Sequence, residues 1–440
     1  MNNPGEKEFA WQSFLFSPIK LSRHWKQSLR NSSKWCSWER RYQEKDNEIL
    51  DDIRRFFIAP VREKLFPLCA PENCLRLTLN VEAVDGGMPW LPGEDGKPLA
   101  SIAWIDLLAL DTFSLLIFKL EAPGSLKAKD LYALNRKAPE WFARSLDPNA
   151  KVSHWRTSLD DSTTLKGWVE KRLFGFTLPE SREVFGDTDW FGHSLPMVSF
   201  VGVNNCTEVS ADKDFVSLLT GAPYGSDHYD LCSQERERLT DQNVMQVYKN
   251  WLVGDLNNRV LFYSVGGQNT PLYKNLEKHY IYISAIVFYQ KIMLTYFLER
   301  FLSTSINENE MKRIRGNILY FRKEYVFNKL STYSLGEKLY QFFFKNDDVQ
   351  SLVDRLTYEI ESSDEFERLV LERKENRVLN FIAIFAAITL PVTTVGTIYG
   401  VGDRYVFSFS SFWVVSGIAT FVFLILIFIL LISNKISKTE

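Results

Sequence analysis

No charged side chain occurs between Val378 and Gly402, nor between Tyr405 and Asn434, runs of 25 and 30 residues in a chain of 440. A membrane-spanning helix needs about 20 apolar residues, and at 1.5 Å per residue the first run reaches about 37 Å, against a hydrocarbon core of about 30 Å. A two-helix transmembrane hairpin is therefore expected near the C-terminal end. Cysteine is scarce: Cys36, Cys69, Cys74, Cys206 and Cys232 form no CxxC pair and have no histidine placed to complete a metal clip. That excludes a disulfide framework and fits reduced thiols. The five histidines (His24, His154, His193, His228, His279) form no HxH or HExxH, Gly86-Gly87 and Gly266-Gly267 read as turns outside any GxxxxGK[ST] frame, and no nucleophile motif is present. The chain is not expected to be an enzyme. A net charge of −2 leaves no nucleic-acid footprint, so no nucleic-acid partner is expected. Met1 to Ala10 carries no apolar signal core.

What is present has two textures. Up to about residue 270 the chain mixes prolines, aromatics and acidic turns. Residues 1 to about 70 are expected to be mostly helical. Glu39 to Lys64 is amphipathic (Ile49, Ile53, Phe57, Val61) and is open to splitting at Pro60. Strands are expected at Leu75–Val84, Ala100–Leu110, Phe113–Leu120 and Val260–Val265, the second and third joined as a hairpin through Asp111 and Thr112. Beyond that, Gly and Pro are absent from Leu272 to Arg315 and from Glu337 to Leu390, and three helices are expected, near 272–304, 307–345 and 348–400. Tyr280 to Tyr289 is uncharged but too short to span, so the first helix is expected to be buried. Asn346, Asp347 and Asp348 signal the start of the third, which up to Leu390 would be about 65 Å long, a rod too long for a globular domain.

Basic residues before the first run (Arg368, Arg373, Lys374, Arg377) and after the second (Lys435, Lys438) outnumber the single Arg404 between them. By the positive-inside rule both termini are cytoplasmic and the chain is a multi-pass protein of the inner (plasma) membrane. Asn376, Leu379, Ala383, Ala386, Leu390 and Thr393 recur at spacings of 3, 4, 3, 4 and 3, a column that keeps to one face of a supercoiled helix. Phe366, Leu369 and Arg373 continue it toward the cytoplasm. Such a column is polar at both ends and apolar between, which suits either a packing seam or a pore that gates by dewetting. The second run, Ser411 to Ile432, has no polar stripe and suits a lipid-facing ring.

Asn376, Pro391, Thr393, Tyr399 and Gly400 stand at the spacings of the entrance Asn, the Pro fifteen residues on, the Thr after it and the Tyr-Gly-Met-Asn loop of the CorA family of divalent-cation channels, which this region resembles. The resemblance covers about 270–440. Val401 and Gly402 stand where the family has Met and Asn, so the residue that holds a hydrated ion at the pore mouth is missing, and Asp403 is the candidate to supply carboxylates instead. The resemblance implies an α+β cytoplasmic domain followed by a long stalk helix and two C-terminal transmembrane helices, assembled as a homopentamer in the bilayer. The expected organisation is 1–270 N-terminal α/β domain, 271–347 helical hairpin of a funnel, 348–377 stalk, 378–402 pore-lining span, 403–410 external loop and 411–433 second span. The implied pore lining is Asn376, Leu379, Ile382, Ala383, Ala386, Leu390 and Thr393. The implied selectivity loop is Tyr399, Gly400, Val401, Gly402 and Asp403. The expected function is passive, gated transport of a divalent cation, Mg²⁺ or a related metal, with that cation as transported or regulatory ion and no covalently bound cofactor. Acidic pairs (Asp51-Asp52, Asp160-Asp161, Asp347-Asp348) are candidate ion sensors by the same resemblance. Two alternatives stand beside this. One is a CorA-like membrane effector gated by a small-molecule or nucleotide ligand of the N-terminal domain, as in CRISPR-associated defence. The other is a membrane-anchored cytoplasmic domain without transport.

Overall fold

The computed structural model describes residues 8–20, 29, 32–39, 47–67, 75–110, 112–141, 155–159, 163–175, 194–204, 208–225, 231–256, 258–266, 270–303, 308–401 and, beyond these, positions 414, 417, 418, 421 and 425. The chain is mixed α and β. Eleven strands form one sheet: β1 (Glu8–Ile19), β2 (Trp35–Ser37), β3 (Leu75–Leu79), β4 (Trp90–Pro92), β5 (Pro98–Ala109), β6 (Ser114–Glu121), β7 (Leu126–Lys127), β8 (Met197–Val203), β9 (Val244–Tyr248), β10 (Trp251–Leu256) and β11 (Arg259–Val265). Their order is β2-β3-β5-β6-β1-β8-β11-β10-β9, with β4 beside β5 and β7 beside β1. Every pairing is antiparallel except β8 with β11. The expected β5–β6 hairpin is present, with Ala109 opposite Ser114.

Among the described residues, the first 70 positions are not mostly helical: β1, the first described element, lies at the middle of the sheet between β6 and β8. Its two faces explain why its sequence does not alternate. Phe9, Trp11 and Leu15 join a core with Leu131, Leu134, Trp155, Trp168 and Phe215. The opposite face meets the long apolar helix, where Phe16 lies 5.3 Å from Phe288 and Gln12 donates to the Tyr273 carbonyl at 3.1 Å. A strand covered on both sides reads as an unbroken apolar run, and periodicity cannot separate that from a buried helix.

Two short helices, α1 (Asn47–Phe56) and α2 (Ala59–Leu65), replace the single amphipathic stretch. The break falls at Pro60, which occupies the first turn of α2, where its missing N–H costs nothing. Next come α3 (Ala128–Lys137), α4 (Leu165–Trp168) and α5 (Lys213–Thr220), which contribute to the core on the Trp11 side of the sheet, and α6 (Ser233–Asn243), which lies beside β9 and β10. Helix α7 (Pro271–Ser303) opens with Thr270 accepting from the Tyr273 amide and with Pro271 at its first position. Among the described residues it is the one helix long and apolar enough to cross a membrane by length and composition, and 94% of its most apolar window is buried inside the protein. The protein covers it through Tyr289, which packs on Phe321 and Tyr325, and through Gln290, which donates to the Tyr325 carbonyl at 2.6 Å. The expectation of a buried helix around Tyr280–Tyr289 agrees with this.

The helix expected over 307–345 is two helices, α8 (Glu308–Tyr325) and α9 (Ser334–Asn346). The connection between them is held by α1 and α2. The Ile58 amide donates to the Leu330 carbonyl (3.1 Å), the Thr332 amide to the Phe56 carbonyl (2.9 Å), and Phe57 bridges to Ser331. Gly336 allows the close packing, because a Cβ there would stand 2.6 Å from the Phe56 ring. The last element, α10 (Val349–Val401), is a single helix of 53 residues, about 80 Å long. The chain divides into two compact units, Met1–Leu356 and Thr357–Glu440.

Candidate functional site

All seven residues of the expected pore lining, Asn376, Leu379, Ile382, Ala383, Ala386, Leu390 and Thr393, fall on α10, as do Tyr399, Gly400 and Val401. Gly402 and Asp403 lie outside the described residues, as does the pair Asp160-Asp161. For Leu390, Thr393, Tyr399, Gly400 and Val401 only the helical backbone is described. The helix passes through Pro391 without interruption. A membrane helix tolerates such a proline because nearby groups re-satisfy the released carbonyl. Two residues earlier the Thr389 hydroxyl donates to the Phe385 carbonyl at 2.9 Å, so this hydroxyl needs no water.

The surface of α10 changes abruptly. From Glu361 to Arg377 it is largely charged and exposed, with Arg368 paired to Glu372 one turn on at 3.2 Å. From Val378 the exposed side chains are mostly apolar: Val378, Leu379, Phe381, Ile382 and Phe385 are each between 56% and 70% exposed, with Asn380 exposed among them. At 100° per residue these five positions occupy one apolar arc of about 160°, and Asn380 lies outside it. An exposed apolar arc of that width is one that something must cover. Asn376 and Leu379 are exposed at the boundary, with Ile382 and Ala383 exposed above them and Ala386 half-buried.

The foot of α10 is held differently. Asp347 is buried and accepts from the Lys291 ammonium of α7 at 2.7 Å. The same ammonium donates to Asn258 Oδ1 at 2.8 Å. Asn258 and Asp348 are the non-glycine residues with positive φ (67° and 55°), a conformation Asn and Asp tolerate best. Asp348 starts α10, its carbonyl accepting from the Leu352 amide at 3.0 Å. The helix-start signal at 346–348 is thus in place, but its middle residue is turned inward to a lysine. Asp255 of β10 is also buried in this electrostatic neighbourhood, and its Oδ2 has no hydrogen-bond partner. Burial pushes the Asp255 carboxyl well above the usual carboxylate range, the negative charge of Asp347 pushes it further, and Lys291 opposes both. Asp347 is also raised by burial, with Lys291 offsetting part of the rise.

Asp255 holds its proton more tightly folded than unfolded, so stability is fullest below the ordinary carboxylate range near 4 and falls as pH rises through the higher folded value. Asp255→Asn should flatten that fall and, at pH 8, stabilise the protein by about 1–2 kcal/mol, since Asn neither has to take up a proton on folding nor bury a charge. Urea melts of parent and variant between pH 5 and 8 check this. Parallel slopes would show that the proton is held elsewhere.

The other acidic pair is divided. Asp51 lies 3.6 Å from Arg54. Asp52 Oδ2 lies 3.3 Å from His279 Nε2. His279 is buried and stacked on Phe56 (4.3 Å between centroids), and burial lowers its pKa to about 4, so near neutral pH it is uncharged. Among the described residues no group of three His, Cys, Asp or Glu side chains is placed to hold a metal ion.

No protein-family model matches this chain, and no curated protein matches it. The polar groups that organise the fold have one signal in the sequence that was not read as such: lone charges inside apolar runs. Arg76 stands in LRLTL, Asp106 in WIDLLA, Asp255 in WLVGDL, and Lys291 among the apolar residues of α7.

Proposed function

We propose that the protein is a CorA-like homo-oligomeric membrane channel that passes divalent cations, Mg²⁺ or a related metal, down their gradient. In this reading 378–402 and 411–433 cross the bilayer of the inner (plasma) membrane, with both termini cytoplasmic. The first spans of several copies, five by resemblance, face one another along Asn376, Leu379, Ile382, Ala383, Ala386, Leu390 and Thr393. The observation that supports it most directly is the largely apolar exposed surface of α10 above Arg377. Nothing among the described residues covers it; in a ring of spans, sister helices cover one side and lipid the other. The exposed Val414, Ile418, Phe421 and Ile425, spaced by four, three and four, suit a second span facing lipid. A continuous helix through Pro391 suits the same setting.

Asn376 and Thr393 would contact the water shell of a hydrated ion, Leu390 would form a dry constriction, and Asp403 would supply a ring of carboxylates at the outer mouth. Ion flux in liposomes, comparing Mg²⁺, Zn²⁺, Co²⁺ and monovalent ions, tests the assignment. Leu390→Ala is expected to raise flux by opening the constriction. Asp403→Ala is expected to lower divalent flux about tenfold by removing the carboxylate ring. Asn376→Ala should weaken discrimination among ions. If all three variants conduct as the parent does, the column is a packing seam and not a pore.

A further inference from the structure

The geometry points to a binding site for a phosphate ester in the cavity between α1, α2 and the connection that precedes α9. The cavity holds about 510 Å³ and is lined by Asp51, Arg54, Arg55, Phe57, Ile58, Ala59, Arg62 and Thr332. That volume lies within the usual range for small-molecule sites. Three arginines and one aspartate line it, a formal excess of two positive charges on a chain whose overall charge is negative.

The three arginines are not equally engaged. Arg54 is shared between Asp51 at 3.6 Å and Glu39 at 3.7 Å, both long for strong pairs. Arg62 Nη1 donates to the Arg54 carbonyl at 3.3 Å, which positions the group without neutralising it. Neither Arg55 nor Arg62 forms an ion pair with a described residue. Both stand beside a concave wall with charge that no described carboxylate neutralises. Planar guanidinium groups present paired N–H donors that match phosphate oxygens, and several together select a dianion over a carboxylate. The remaining wall, Phe57, Ile58 and Ala59, is apolar, which suits an organic ester more than a bare inorganic ion.

The walls come from distant parts of the chain. Thr332 is tied to α1 through its hydroxyl, which donates to the Arg55 carbonyl, and through its amide on Phe56. A ligand seated here would therefore brace α1 and α2 against the residues leading into α9. The site is a property of the unit Met1–Leu356 and does not rest on the transport reading.

Isothermal titration of the full chain in detergent with AMP and with glycerol 3-phosphate tests this. The two probes separate a free nucleotide from a phospholipid headgroup, and saturable binding of either supports the site. Arg55→Gln/Arg62→Gln should weaken binding at least tenfold, whereas Arg313→Gln, an exposed arginine on α8, should leave it unchanged. If the double variant does not fold, Arg55→Gln alone, at an exposed position, should still weaken binding several-fold. Binding that survives these substitutions, or no saturable binding of either probe, overturns the proposal.

Discussion

Asp106→Ala is expected to lower stability by about 3–5 kcal/mol, because it leaves a buried guanidinium without its counter-charge. Asp106 and Arg76 are both almost wholly inaccessible. Arg76 donates through Nε and Nη2 to Asp106 Oδ2 (3.2 and 2.6 Å), through Nη2 to the Tyr282 hydroxyl (2.5 Å), and through Nη1 to the Leu65 carbonyl (3.5 Å). Thr78 donates to the other carboxylate oxygen. The guanidinium carbon lies 4.6–4.9 Å from the ring centroids of Tyr282, Phe66 and Trp38. One cation thus ties β3 and β5 to α2 and α7, which gives its loss a wide reach. A domain's net stability is about 5–15 kcal/mol, so the single variant should be close to unfolding at 37 °C. Arg76→Met/Asp106→Leu removes both charges together and should recover most of the loss, since an apolar pair of similar volume avoids the desolvation of two ions. Urea denaturation of the two variants distinguishes the cases. A loss below about 1 kcal/mol in Asp106→Ala would mean that the pair is not what holds these elements together.

Phe381→Lys/Phe385→Lys should prevent the proposed first span from entering the bilayer. A lysine well inside a spanning helix costs about 2–3 kcal/mol on insertion, so two cost enough to shift the equilibrium far more than tenfold. Both phenylalanines are exposed and belong to the unit Thr357–Glu440. The readout is the loop between the spans. A cysteine placed there (Ser408→Cys) should react with a membrane-impermeant maleimide on intact cells in the parent background. It should lose at least nine-tenths of that labelling when the two lysines are present. The native cysteines all precede residue 233 and should stay unlabelled in both. Equal labelling with and without the lysines would remove 378–402 as a span.

Several features were legible because their causes are local. A proline ends one short helix and begins the next at Pro60, whatever surrounds it. The β5–β6 hairpin follows from two apolar runs joined by a short polar turn. The continuous 53-residue helix follows from a stretch with no helix breaker before Pro391. Other features were not legible, because their causes lie far away in sequence. The break between α8 and α9 is made by hydrogen bonds from Ile58 and Thr332 across more than 270 residues. The arginine cavity exists only because α1 and α2 meet residue 332.

By itself the sequence determined where the chain could be helical without interruption and where it could shed charge for a whole membrane thickness. Both are sums of local backbone and side-chain preferences. The tertiary structure alone decided that Glu8–Ile19 would be the middle strand of the sheet, and that Asp347 would turn inward to Lys291. In each case the residue's own chemistry permits more than one environment, and the free energy that selects among them comes from partners the chain supplies only once folded.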